Sequence, residues 1–475
     1  MTYPRNHARG ARTGSVRRRR RAAALGVGLA AVVTAGACGS GGNGDSGGGT
    51  APGRDRAATS GGDCVRVIDE ATGRRTAKCL PLAPREDRVD LEKPVFTHPT
   101  RITNPLHPTA KVKQVVYGGQ VDSKPFRTEF TLLPTKRTIE VNGERVAVRT
   151  MQYMALSDGR IKELALDWFA QADDGAVWYL GEDVYNYRGG VVADTEGTWK
   201  AGKSGPAAMI MPAHPQRGDV YRPENAPEVV FEEVTVKSVN RTVPGPHGPV
   251  EGAVTVNELH MDGSREDKTF APGYGEFSTS SGGDVEAVSV AVPTDARPGP
   301  VPAELTALTE AARAVQGRVT ESTARQAHSA WDDYRGSDRA PRRLVTQMNR
   351  DIDTLDRTAR GQDRTAATAA ALRVAQNALD LRLPYEPLAR IESDRMDLWA
   401  RQLTVDAAAR DAGAVAGDVT SLELTWERVR PAVDGPDASR VDRLLHELRE
   451  AVDHKDTGSA VKIAPELNSV LGGIG

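Results

Sequence analysis

Two hydrophobic periods divide this chain. Between positions 95 and 292 apolar residues alternate with polar ones in short runs, and beyond Pro302 they recur every three or four positions. Alternation buries one face of a strand, whereas the wider spacing buries one stripe of a helix. In the first part Asn142-Gly143, Asp158-Gly159, Asp174-Gly175 and Asp262-Gly263 each lie between β-branched or aromatic runs. Both central residues of a type I′ turn need positive φ, which Asn-Gly and Asp-Gly accept, so these pairs predict a β-meander. The clearest strands are 126–132, 145–156, 160–171 and 177–181, followed by 229–239, 253–261 and 286–292.

The second part reads as amphipathic helices. Leu305, Leu308, Ala312 and Val315 form one stripe, and Leu344, Met348, Ile352 and Leu355 form the next. Similar stripes run over 372–383, 388–403, 415–429 and 441–452, with a short last one over 461–471. Successive helices with one apolar face pack as an antiparallel bundle. Pro293, Pro298, Pro300 and Pro302 separate the two periods, and prolines at that density make a stiff linker. The expected fold class is therefore multidomain α+β. An N-terminal all-β meander (barrel-like or a sandwich, 95–292) precedes a linker (293–302) and a C-terminal all-α helical bundle (303–475).

Residues before position 64 are organised differently. Arg17 to Arg21 form a basic block, an apolar stretch runs from Ala22 to Val33, and Ala35-Gly36-Ala37 lead into Cys38. A basic start, a short apolar core and small residues before a cut describe a secretory signal peptide over 1–37. The apolar stretch is shorter than the about 20 residues a membrane-crossing helix needs. Cys38 directly after the cut resembles the lipobox of bacterial lipoproteins, with Ala35 where that pattern usually has Leu. The resemblance implies acylation of Cys38 and a cell-membrane protein anchored on the extracytoplasmic face. Sec and twin-arginine export both remain open, because a run of five Arg satisfies either. Residues 38–63 are rich in Gly and Ser and read as a flexible tether.

Export changes the reading of the remaining cysteines. Cys64 and Cys79 are left as a pair in an oxidising compartment, where a disulfide is expected to staple the lead-in segment 64–94. Loss of the eight arginines before Cys38 takes the formal charge from −2 to about −10, which lacks the basic footprint of a nucleic-acid binder. Abundant Arg, Ala, Gly and Pro resemble the usage of GC-rich actinobacteria.

Candidate chemistry is sparse. Asp442, His446, Glu450 and His454 fall four residues apart, a single ladder of metal-capable side chains on a helix. Their angular position relative to Val441, Leu444, Leu445, Leu448 and Val452 places them on the side and outer faces, where a solvated polar stripe is expected. The helical Glu-x-x-His pairs of di-iron proteins, H-E-x-x-H, the nucleophile elbow and the phosphate-binding loop are all absent from the sequence. Trp168, Trp178, Tyr179, Tyr185 and Trp199 cluster along the chain with Glu182 beside them. Such a set describes either a filled core or an apolar ligand pocket.

Certain strings carry a second resemblance: Phe96-Thr97-His98-Pro99-Thr100, Trp178-Tyr179-Leu180-Gly181-Glu182, Gly197-Thr198-Trp199 and Ala271-Pro272-Gly273-Tyr274-Gly275. Over roughly 95–280 they resemble an uncharacterised family of secreted bacterial β-domain proteins, which implies a fold but no activity. The expectation is a non-enzymatic lipoprotein without a cofactor. Its partners would be the membrane and either a small apolar ligand or another envelope protein. A metal-binding protein using the helical ladder and an extracytoplasmic hydrolase are the alternatives.

Overall fold

The computed structural model describes residues 64–69, 72–294, 299–361, 363–433 and 435–474. The expected signal peptide, Cys38 and the tether lie outside them. A hairpin of β1 (Arg66–Asp69) and β2 (Arg74–Cys79) comes first, and Cys64 is bonded to Cys79 across its base. The meander opens with β3 (Val112–Val121), β4 (Lys124–Val141), β5 (Glu144–Ser157), β6 (Arg160–Gln171) and β7 (Val177–Arg188). Short strands β8 (Val191–Asp194), β9 (Trp199–Lys200) and β10 (Ala208–Met211) follow. It continues through β11 (Val220–Ala226), β12 (Val230–Gly245), β13 (Gly248–His260), β14 (Arg265–Ala271), β15 (Gly275–Ser281) and β16 (Asp284–Pro293).

These strands form one antiparallel sheet in the order β10-β7-β6-β5-β4-β3-β16-β15-β14-β13-β12-β11. Neighbours on that path are close in sequence except where β3 pairs with β16, joining the first long strand to the last. The two ends of the path, β10 and β11, pack side by side. The meander therefore curls into a barrel whose seam, between β7/β10 and β11, has no strand ladder across it among the described residues.

Alternation then sorts the residues. Val234, Val236, Val254, Val256 and Phe270 on one side of the barrel share a core with Met151, Phe169 and Tyr179 on the other. The opposite face of β4, β5 and β6 carries Leu133, Met154, Leu156, Leu164 and Leu166, which pack against Leu424 and Trp399 of the helices. Phe231 and Leu259, facing out from β12 and β13, are covered by Val65 and Leu80 of the disulfide-bonded hairpin.

Among the described residues eight helices follow: α1 (Ala303–Gly317), α2 (Glu321–Arg335), α3 (Arg342–Ala359), α4 (Arg364–Arg382), α5 (Leu388–Ala408), α6 (Ala412–Val429), α7 (Gly435–Asp453) and α8 (Thr457–Leu471). The α+β layout read from the two periods is thus the observed one. Among the described residues no helix is long and apolar enough to cross a membrane. The strands run further than the pattern predicts, because bulges in β4 and β7 break the alternation midway. Helix α2 has no predicted counterpart. Its buried stripe begins with Ala324 and Ala327, too weakly apolar to register, and its start is fixed by a capping box between Thr320 and Thr323.

Bundle and barrel meet over a buried network of ions. Glu129 of β4 is bonded to Arg428 of α6, and Arg428 also lies 3.1 Å from Glu392 of α5. Arg395 of α5 is paired with Glu392 and lies 3.0 Å from Asp380 of α4. Arg127 of β4 is bonded to Asp380 and lies 2.7 Å from Glu129. Gln114 donates to Glu392 and to Thr131, both at 2.9 Å, and Arg428 Nε donates to Gln152 at 2.6 Å. Three guanidinium groups face three carboxylates, so the network is neutral and nearly sealed from water. Burial of Glu129 would raise its pKa, but Arg395, Arg428 and Arg127 outweigh that and hold the carboxylate well below its ordinary range.

Candidate functional site: an acid-lined barrel interior

The apolar core fills only part of the barrel. Elsewhere the same inward faces carry Asp167 on β6, Glu182 on β7, Glu224 on β11, Glu232 on β12, Glu258 and His260 on β13, and Glu266 and Lys268 on β14. Glu286 on β16 accepts a hydrogen bond from Thr128. All are buried. Three acid pairs sit directly opposite one another in the ladder: Asp167 with Glu182, Glu224 with Glu232, and Glu258 with Glu266. Like charges in that position are normally avoided.

Backbone irregularities bring the acids inside. On β7 an extra residue separates the pairs Asp167/Glu182 and Phe169/Tyr179, so Tyr179 and Glu182 share the inner face. The bulge is built on Gly181, whose φ of +119° favours glycine. A Cβ there would also collide with the Trp199 carbonyl oxygen on β9. A matching shift on β11 between Tyr221 and Glu224 turns Glu224 inward and Arg222 outward, where Arg222 lies 3.0 Å from Glu233.

The charge balance is lopsided. Among the described residues seven buried carboxyls, those of Asp167, Glu182, Glu224, Glu232, Glu258, Glu266 and Glu286, face only two bases, His260 and Lys268. Lys268 is bonded to Glu258 and lies 3.2 Å from Glu266, while His260 lies 3.3 Å from Glu232 and 3.5 Å from Glu266. Four of the acids, Asp167, Glu182, Glu224 and Glu286, have neither base beside them. Glu182 is hydrogen-bonded to Glu224 and Glu232 to Glu258, acid to acid, while one oxygen each of Asp167 and Glu286 has no hydrogen-bond partner. An ionised carboxylate left unpaired at such depth is so costly that it takes up a proton or a cation.

Protonation follows this imbalance. Burial pushes Glu224 and Glu276 up to about 7, and Glu163 and Glu286 up to about 8. Burial, with Glu224 adding to it, also raises Glu182; burial raises Asp167 against the opposing hydrogen bond from Tyr179. Glu258 behaves oppositely: burial would raise it, but Lys268, the hydrogen bond with Glu232 and His260 together outweigh that and lower it to about 2. Burial alone would lower His260 and Lys268, yet the surrounding acids outweigh it and raise both.

One end of the interior opens into a crevice of about 60 Å³ lined by His107, Tyr117, Phe130, Phe169, Phe270 and Glu276.

The aromatic set read from the sequence is divided between faces. Tyr179 donates to Asp167 at 3.0 Å, stacks on Phe169 and meets Trp199 edge-on, so Tyr179, Glu182 and Trp199 do come together. Trp178, next to Tyr179, points the other way and lines a crevice with Pro94, Phe96 and Val141. Trp168 lies under the Arg137 guanidinium, 3.9 Å from its ring centre. Tyr185 packs beside Leu133, Leu164 and Trp399 where barrel and helices meet. Strand alternation thus prevents a single pocket of all six.

The helical ladder is engaged elsewhere. Asp442 accepts from Trp426 at 2.7 Å and from Arg430 at 2.9 Å, His446 lies 3.3 Å from Glu450, and His454 Nδ1 lies 2.8 Å from the Glu450 carbonyl oxygen. His446 is 72% exposed, in keeping with a solvated stripe. The described residues instead place a metal-capable group at Glu258, His260 and Glu266. None of these stood out in the sequence. The available signal was an acid on an apolar stripe: Glu232 shares its face with Val234 and Val236, and Glu258 with Val256 and Val254.

No protein-family model, curated protein or solved structure matches this chain.

Proposed function

We propose that this protein is a lipid-anchored extracytoplasmic binding protein whose barrel takes up a small cation. The observation that carries the reading is the excess of five buried carboxyls over buried bases on the inner face, among the described residues. A fold gains nothing from stacking acids opposite acids unless something neutralises them, and a bound cation does so while protons do so in its absence. The signal, the resemblance of Cys38 to a lipobox and the Gly/Ser-rich tether support placement at the outer membrane surface. On this reading the helical bundle props the barrel through the buried ion network and supplies no ligand.

Two measurements test it. Melting of the mature protein at pH 7.5 and constant ionic strength should rise by several degrees with ammonium or methylammonium over a tetraalkylammonium control. The rise should vanish in a Glu182→Gln, Glu224→Gln variant. No rise with any of these ions would overturn the cation reading. For the anchor, Cys38→Ala should release the protein from the membrane fraction, and unchanged retention would refute lipidation at that residue.

A further inference from the structure

We propose that Glu258, His260 and Glu266 bind a divalent first-row transition-metal ion inside the barrel. The inference rests on the cation reading above and names its ligand. One hairpin holds all three: Glu258 and His260 are two apart on β13, and Glu266 faces Glu258 from β14. A short turn at Asp262-Gly263 joins the strands, with Ser264 held by Asp262, which fixes their spacing. One donor atom from each residue lies within 4.8 Å of the others, close enough to converge on one ion. All three are at least nine-tenths buried, and Glu266 Oε1 lies 3.5 Å from His260 Nε2, the nitrogen that faces the site.

Donor chemistry selects the ion. One imidazole with two carboxylates suits zinc, iron, cobalt or manganese better than calcium or magnesium, which prefer oxygen alone. The ring has a defined orientation. His260 Nε2 points toward Glu266, and Nδ1 lies 3.3 Å from Glu232. Glu232 therefore stands where a carboxylate would take the Nδ1 proton in a hydrogen bond and leave Nε2 for the metal. Lys268 is the internal rival, since its ammonium contacts Glu258 and Glu266. It has an alternative acid in Glu276, whose carboxyl already lies within its field.

The mature protein, stripped with a chelator, should bind one zinc ion per chain by calorimetry and elemental analysis. His260→Ala and Glu258→Gln should each weaken zinc at least tenfold while the far-ultraviolet circular dichroism stays unchanged. Lys268→Met should tighten it by a similar factor, a gain that mere misfolding would not produce. Zinc binding should survive His446→Ala, His454→Ala. Absence of zinc binding, loss on changing the helical histidines, or indifference to both His260→Ala and Glu258→Gln would overturn the proposal. If zinc fails while methylammonium still stabilises through Glu182 and Glu224, the metal assignment falls and the cation reading stands. If neither acts, both fall.

Discussion

Arg428 of α6 is bonded to Glu129 of β4, and neither side chain reaches solvent. The helical bundle is thereby tied to the outer face of the sheet by charge as well as by the apolar contacts around Leu424. Removing one member of such a pair strands the other in a dry site, which typically costs about 3–5 kcal/mol. Arg428→Met should lower the unfolding free energy by about that amount. The double variant Arg428→Met, Glu129→Gln should lose clearly less than the sum of the singles in urea melts. Additive losses would mean the pair carries no coupling.

Gly181 sets the inner face of β7. With φ at +119° and the Trp199 carbonyl oxygen in the way of any added Cβ, Gly181→Ala should both strain the backbone and push β9 away. Backbone strain alone is worth roughly 1–3 kcal/mol. Gly143→Ala is the matched control, since Gly143 also has positive φ but nothing within 4 Å of where the new methyl group would sit. Gly181→Ala should be the more destabilising in chemical denaturation, with altered fluorescence from Trp199.

Stability should fall as pH rises from mildly acidic to mildly basic. Glu224 and Glu276 titrate near 7 when folded, and Glu163 and Glu286 near 8, all above their ordinary value of 4.5. Between those limits the unfolded chain has released these protons and the folded chain has kept them. Each such group therefore removes about 1.4 kcal/mol per pH unit until its folded pKa is passed. Glu258, lowered to about 2, acts in the opposite sense and withdraws stability below its ordinary pKa. Melting temperatures should peak near pH 5 and decline toward pH 8, and Glu224→Gln should flatten the decline. A flat profile would contradict the assigned burial.

The Cys64–Cys79 bond closes a hairpin with a sequence separation of 15 residues, for which chain entropy gives about 3 kcal/mol. The hairpin touches the barrel through Val65 and Leu80 on Phe231 and Leu259, and through a 2.9 Å bond from the Ile68 amide to the Met261 carbonyl. Cys64→Ser, Cys79→Ser should accelerate amide exchange at Ile68 and leave the strands β3 to β7 protected.

Much of the fold was legible because its signals are local. Asn142-Gly143 and Asp158-Gly159 sit in the turns where their dipeptides place them, with positive φ at each residue. The cysteine pair needed only a redox argument. What was not legible depended on bulges and on closure. Tyr179 and Glu182 are three apart and by simple alternation would face opposite ways; the extra residue at Gly181 puts them together. Glu232, Glu258 and Glu266 lie far apart along the chain from Asp167 and Glu182, and only the pairing of β3 with β16 and the approach of β11 to β7 bring them into one interior. The aromatic run around Trp178 drew attention to the right strand, but alternation sends half of it to the other face.

Proton release on cation uptake tests the central claim most directly, because burial favours the protonated form of Glu182 and Glu224 and a cation must displace those protons. Calorimetry of methylammonium binding at pH 7, run in two buffers of different ionisation heat, reads that number. Net release of protons to the buffer, abolished in Glu182→Gln, Glu224→Gln, is the expected result. Binding without proton release, or release unchanged in that variant, would contradict the account.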